Sequence, residues 1–189
     1  MPQQRARLNN VEMRKVALEA ACAILTEEGP RAVTLTAVAK RIHRTHANVL
    51  HHFGSAEGLR RAMAETMAAR VVETIAVSVR RSRETESGAR TIVDLVFDIF
   101  DREGLSSLMS WMTLSGDHAA LAPIMESLHD LIEQLGDHRG ASVRHITQVL
   151  VMGALADGLL GGPIAGALDL PRDAMRETMA AQIQHMRGW

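Results

Sequence analysis

Apolar residues recur along most of this chain at three- and four-residue steps, the period of one helical face. Val16, Ala17, Ala20, Ala21, Ile24 and Leu25 form the first stripe. It predicts a helix from about Val11 to Glu28, capped by Asn9 with Glu12 three residues on and closed by Gly29-Pro30. Thr34 or Thr36 can cap a short second helix through Val38, Ala39 and Ile42. After His43-Arg44, Thr45 can cap a third that ends near Phe53. Gly54-Ser55 closes it and Ser55 caps a long helix from Ala56 to about Arg81, with Leu59, Met63, Met67, Val71 and Ile75 on one face. The polar run from Ser82 to Gly88 predicts a bend. Five more helices are expected at about 89–102, 104–115, 119–136, 142–160 and 172–187. Gly104, Gly116, Gly136, Gly140 and Gly161-Gly162-Pro163 separate them. No segment alternates with the period of a strand, and no internal repeat is visible.

The pattern predicts an all-α chain, and composition agrees. Of 189 residues 47% are apolar, enough for a core, and these are mostly Ala, Leu, Val, Ile and Met. Aromatic residues are only 3%, which argues against stacking platforms for single-stranded nucleic acid. The lone Cys22 excludes a disulfide framework and a four-cysteine zinc site, and it reads as a packed thiol. Met1 to Asn10 is polar, with Arg5 and Arg7 and no apolar run, so a cytoplasmic chain is expected.

Charge divides the chain. Residues 1–61 hold ten Lys/Arg against five acids, while the remainder holds eleven against seventeen. A basic front and an acidic rear suggest a nucleic-acid module joined to something else. The segment TLTAVAKRIHRTHANVLHHFGSAEGL, Thr34 to Leu59, reads as a helix-turn-helix: short helix, tight turn, short helix. In such a motif the first helix braces on phosphates and the second presents its N-terminal side chains to base edges in the major groove.

On those residues the segment resembles the DNA-binding domain of tetracycline-repressor-like (TetR family) transcription regulators. The matching positions are Ala21, Glu28-Gly29, Thr34, Val38-Ala39, Thr45, Val49, His51, Phe53, Ser55, Glu57 and Leu59. The family usually has Gly where His43 stands, Tyr at Leu50 and Lys at Ala56, the last two being phosphate contacts. His52 replaces a common aromatic, and Asn48 stands where Thr or Ala is frequent. The resemblance implies a helix-turn-helix domain over residues 1–55 and a larger helical ligand-binding and dimerisation domain over 56–189. It implies a homodimeric regulator, most often a repressor, on a palindromic double-stranded operator. The expected DNA-facing residues are Thr34, Thr36, Arg44, Thr45, His46, Ala47, Asn48 and His51, with Asn48 able to read adenine through both amide atoms.

For the rear half, Phe97, Phe100, Met109, Trp111, Met112 and Met125 are the candidate pocket residues for a small apolar ligand, with Leu114 and Leu128 nearby. Asp117, His118 and Asp157 are possible polar anchors. Leu150, Ala154 and Gly158, with Met175, Met179 and Ile183, form stripes expected to meet a second subunit.

Rival chemistries are weaker. His43, His46, His51 and His52 lack metal-ligand spacing, and no metal or cofactor is expected. No phosphate loop, nucleophile elbow or paired-carboxylate motif supports an enzyme. Val149 to Leu168 carries one charge, Asp157, but five glycines and Pro163 argue against a membrane span. The alternative reading is a dimeric helical small-molecule-binding protein whose DNA-binding module is weakened, on the strength of Leu50 and Ala56.

Overall fold

A computed structural model describes residues 10–84, 88–136 and 142–186. Among them lie nine α-helices and no strand: α1 (Asn10–Glu28), α2 (Leu35–Arg41), α3 (His46–Phe53), α4 (Ala56–Glu84), α5 (Ala89–Asp101), α6 (Leu105–Leu114), α7 (His118–Leu135), α8 (Val143–Ala167) and α9 (Ala174–Met186). The all-α reading holds. The Asn9 cap and residues 85–87 of the expected 82–88 bend fall outside the described residues; α4 continues to Glu84, so the bend does not begin at Ser82.

The first three helices form because their ends are chemically marked. Thr34 accepts a hydrogen bond from the Ala37 amide at 3.1 Å, which caps α2, so Thr34 rather than Thr36 does this work. Thr45 does the same for α3 through Asn48 N at 3.2 Å, and Ser55 for α4 through Gly58 N at 3.0 Å. α2 ends in a Schellman turn, with His43 N donating to Lys40 O and Arg44 N to Ala39 O. The left-handed position falls on His43, at φ 53°, where a Cβ is costly. Replacing His43 with glycine is expected to stabilise the chain by about 0.5–1 kcal/mol. A urea titration checks this: the midpoint should rise at unchanged slope. A lower midpoint would mean that the exposed imidazole contributes more than the strain removes.

α4 is the mechanical link. Its 29 residues span about 43 Å. Near its start Leu59 and Met63 are fully buried, and α1 and α3 pack there. Further along it lies against α7 and α5. Gly58 lets α3 and α4 cross closely, since a Cβ there would lie 2.0 Å from Phe53 O. One buried apolar cluster runs from α1–α3 through α4 into α5–α9.

In the rear half α5 is central. Ile92, Val93, Val96, Phe97, Ile99 and Phe100 are buried, and α8 and α9 cover them. The expected end of α8 near residue 160 is corrected: the helix continues through Gly161-Gly162-Pro163 to Ala167. Proline removes one N–H bond, but Gly162 and Pro163 are exposed, so water can satisfy the freed carbonyl. Gly161 is small for a reason: a Cβ there would meet Asp157 Oδ1 at 2.2 Å.

Candidate nucleic-acid interface and sensor cavity

α3 has two faces. Val49 and Phe53 are buried against the rest of the N-terminal helices. His46, Ala47, Leu50 and His51 are exposed, with Thr45 at the head of the helix. Thr34 and Thr36 are exposed at the start of α2, and Arg44 is half-buried in the turn. Seven of the eight expected DNA-facing residues are therefore at the ends of α2 or on α3 with their side chains at least partly accessible. Asn48 differs. It is half-buried, and its Oδ1 is sealed from solvent without a protein partner. Reading adenine through both amide atoms would first require that side chain to turn outward. Relieving an unsatisfied buried carbonyl is worth about 1–3 kcal/mol, which favours the turn.

The basic residues of the front half are less available than their number suggests. Arg41 forms a two-pronged bond to Glu27, at 2.6 and 2.7 Å, tying α2 to α1. The Arg41 hydrogen bond holds the Glu27 carboxyl below its ordinary range. That depressed value means the tie is intact above the usual glutamate range and is lost as pH falls through the lowered value. Arg14 reaches from α1 to the His52 carbonyl at 3.0 Å and lies 4.8 Å over the Phe53 ring. It braces the end of α3, a role that sequence periodicity does not reveal. Arg31, Lys40 and Arg44 appear in no ion pair among the described residues, and Arg31 and Lys40 are exposed. Cys22 is half-buried, and burial pushes its thiol up, which keeps it unreactive.

The second site is a cavity of about 110 Å3 between α4, α5, α6, α7 and α8. Phe100, Met109 and Met125 line it, with Leu128. Phe97, Trp111 and Met112 do not, which corrects the expected lining. Phe97 is turned toward α8 and α9, under the Arg176 guanidinium at 5.5 Å and near Gly153. Met112 is fully buried core. Trp111 lies on the far side of α6, beneath Arg60 at 4.8 Å. Helical period shows that α6 has an apolar face, not which turn of it meets empty space. Sequence reading also missed most of the wall: Val71, Val72 and Ile75 of α4 and Ile146 and Thr147 of α8.

The polar anchors go elsewhere. Asp117 bonds Arg60 Nε at 3.2 Å, and Asp157, with its side chain 2% exposed, is held by Arg172 at 2.7 Å. His118 is exposed, as is Leu114. Arg60 is a cross-helix contact that sequence reading did not single out. It touches Glu57 on its own helix, Asp117 at the start of α7 and Trp111 on α6. The cavity-lining helix α6 and the first turns of α4, next to α3, therefore meet at one guanidinium. Among the described residues no group of three or more His, Cys, Asp or Glu can hold a metal ion.

The stripe expected to meet a second subunit points inward instead. Ala154 is fully buried, Leu150, Met179 and Ile183 are buried, and Gly158 is packed on Ser106. Of that set only Met175 faces out. α8 is apolar on both sides, so period alone cannot tell which side α5 and α9 cover. The free side carries Val149, Met152 (61% exposed), Leu159, Leu160 (54%) and Ile164, continued by Leu168 and Leu170.

Comparison with known proteins completes the picture. Residues 17–63 match the family model of bacterial regulatory proteins, tetR family. This segment holds most of α1, all of α2 and α3 and the base of α4. No curated protein matches the chain. A solved structure, a protein of unknown function from Rhodococcus sp. RHA1, is 21% identical with a TM-score of 0.62, covering 99% of this chain and 98% of that one. That likeness extends the fold to the rear half. The capped α2–α3 pair, the exposed side chains of α3 and the family match together show a DNA-binding domain of the bacterial tetR regulatory family at residues 17–63.

Proposed function

We propose that the chain is a cytoplasmic, homodimeric, ligand-responsive repressor that binds a palindromic operator. The division of labour falls near residue 55, with α1–α3 on DNA and the rest for dimerisation and sensing. The observation that carries this reading is the uncovered apolar side of α8, far in sequence from the reading helix. Met152, Ala156, Leu159, Leu160 and Ile164 follow one another at helical steps on that side and are exposed. A contiguous apolar face of this kind marks an interaction surface. A second copy of the same face is its simplest partner, through a two-fold contact. α8 is also long and apolar enough to cross a bilayer by length and composition. Its packing on α5, α6 and α9 and its Asp157–Arg172 pair favour a core helix with one interface side.

A two-fold dimer presents two copies of α3. Thr34, Thr36, Arg44, Thr45, His46, Ala47, Asn48 and His51 would meet half-sites whose centres lie about 34–36 Å apart, or a multiple of that. A ligand in the cavity would move α6 and, through Trp111, Asp117 and Arg60, the base of α4. The shift in DNA affinity then equals the ligand's differential affinity for the two states.

Light scattering tests the dimer. Wild type should have the mass of two chains. Leu160→Asp and Met152→Lys should each give a folded single chain, because each puts a charge into an apolar seam without touching the core. If both remain dimeric, the interface lies elsewhere. The second reading, a small-molecule-binding protein with a weakened DNA module, has Leu50 (37% exposed) and the sealed Asn48 Oδ1 in its favour. A mobility shift on genomic fragments at rising salt separates the two. A regulator binds selected fragments and loses affinity steeply with salt.

A further inference from the structure

Any charge that α3 brings to DNA must come from histidine. Its eight residues, HANVLHHF, include no Lys, Arg, Asp or Glu, and its ionisable side chains are His46, His51 and His52. They are not equivalent. Val49 and Phe53 are the buried residues of the helix, and His51 stands two residues from each, about 160° round the axis from both. It therefore projects away from the buried side, and it is exposed. His52 is half-buried.

Position along the helix separates them further. The carbonyl end of a helix favours a cation and the amide end disfavours one. His51 and His52 lie in the last turn and His46 in the first. His52 shares a groove with Arg14, Lys15 and Arg70, whose charges oppose a further cation. The His51 and His52 rings meet edge-on with centroids 5.6 Å apart, so a charge on one opposes a charge on the other. Of the three, His51 holds a proton at least cost. The N-terminal side chains of such a helix meet base edges, and His51 lies about 7.5 Å further along the axis than His46.

The charged groups on the helices packed against α3 are largely engaged with one another. α1 brings Arg14, held at the His52 carbonyl, and the Lys15–Glu19 pair. α2 brings Lys40 and the Arg41–Glu27 pair, and the turn brings Arg44. α4 brings Glu57, held by Ser55 and Arg60, and the Arg61–Glu65 pair. Among the described residues none of these carboxylates pairs with an imidazole. Between about pH 8 and pH 6 carboxylates stay ionised and Lys and Arg stay charged, while imidazole takes up a proton. Hydrogen bonds hold Glu27 and Glu57 below the ordinary carboxylate range, and burial pushes the Cys22 thiol up, so all three stay out of that window.

We propose that His51 is a proton-linked phosphate contact: on DNA its ring takes one proton from solvent and donates an N–H to a backbone phosphate, so affinity rises as pH falls. A phosphate beside an imidazole favours the charged ring, which is therefore more populated on DNA than off it. The gain is complete where the free ring is already charged, and it is lost as pH rises until the bound ring releases its proton. The proposal rests on α3 being the DNA-facing helix and needs neither the dimer nor a ligand.

The test is titration of the full chain onto a duplex selected from genomic fragments at about pH 6, repeated up to about pH 8 at constant ionic strength and at several salt concentrations. Wild type should tighten about ten-fold per chain bound as pH falls across this range. Calorimetry near pH 7 in PIPES and in Tris, whose ionisation heats differ, should show net proton uptake on binding. His51→Gln should abolish that uptake, flatten the pH profile and make the salt slope at about pH 6 shallower by about 0.9 per chain. His51→Lys keeps its charge throughout, so its profile should be flat and its affinity at about pH 8 close to that of wild type at about pH 6. It decides the matter if His51→Gln fails to fold. His46→Gln and His52→Gln should keep the wild-type pH profile. A flat wild-type profile with DNA binding intact overturns the proposal and leaves α3 as the DNA-facing helix. A profile that survives in His51→Gln or His51→Lys also overturns it. If no genomic fragment is bound at any pH, the DNA-facing reading itself fails and the proposal falls with it.

Discussion

Replacing Gly158 with arginine is expected to unfold the rear half of the chain rather than release folded single subunits. A Cβ at this position would lie 2.3 Å from Ser106 Oγ and 3.2 Å from the Phe100 carbonyl. Ser106 is itself fully buried, and the Phe100 backbone belongs to the central helix, so neither can step aside cheaply. A long cationic chain there must displace α5 or α6 from α8. Overpacking alone costs about 1–3 kcal/mol, and a buried unpaired charge raises the total beyond about 4–5 kcal/mol. That is a large part of the stability of an ordinary domain. Thermal melting followed by circular dichroism checks it. A cooperative, wild-type-like melt with single-chain mass would instead put Gly158 in the dimer seam, as its sequence pattern first suggests.

Arg60→Ala is expected to cost about 2–4 kcal/mol of stability and to uncouple the two halves. The Arg60 and Asp117 side chains are only 13% and 15% exposed, so the pair is largely removed from water. Truncation strands the Asp117 carboxylate and uncovers the Trp111 ring. Ligand binding should survive, because neither Arg60 nor Trp111 lines the cavity. DNA release by ligand should weaken. A double-mutant cycle with Asp117→Asn measures the pair, and a coupling energy below about 0.5 kcal/mol would reduce it to a surface contact. Unimpaired ligand-dependent release in folded Arg60→Ala would route the signal elsewhere along α4.

The front half was legible because its signals are local. Thr34, Thr45 and Ser55 mark helix starts by bonding amides three residues on, and Gly54 marks an end by its positive φ. Even the departure at His43 keeps the family's left-handed turn. The rear half depends on tertiary choices that periodicity does not encode. Ala154 and Met152 both sit on apolar faces of α8, yet one is sealed by α5 and α9 and the other is open. Trp111 and Met109 share α6, yet one stacks on Arg60 and the other lines the cavity. Pro163 reads as a stop, but solvent on that turn lets α8 run on. Arg60 and Asp117 are far apart in sequence, and nothing in either neighbourhood announces their contact.

The central claim is that two chains, joined through the open side of α8, read one DNA site with two copies of α3. Sedimentation of the purified protein on a duplex selected from genomic fragments tests it most directly, with Leu160→Asp run beside wild type. Two wild-type chains per duplex, a two-fold-symmetric footprint and steep loss of binding with salt are expected. Folded Leu160→Asp should lose most of its affinity for the same duplex. A single chain per duplex, or sequence-blind binding that Leu160→Asp retains in full, would contradict it.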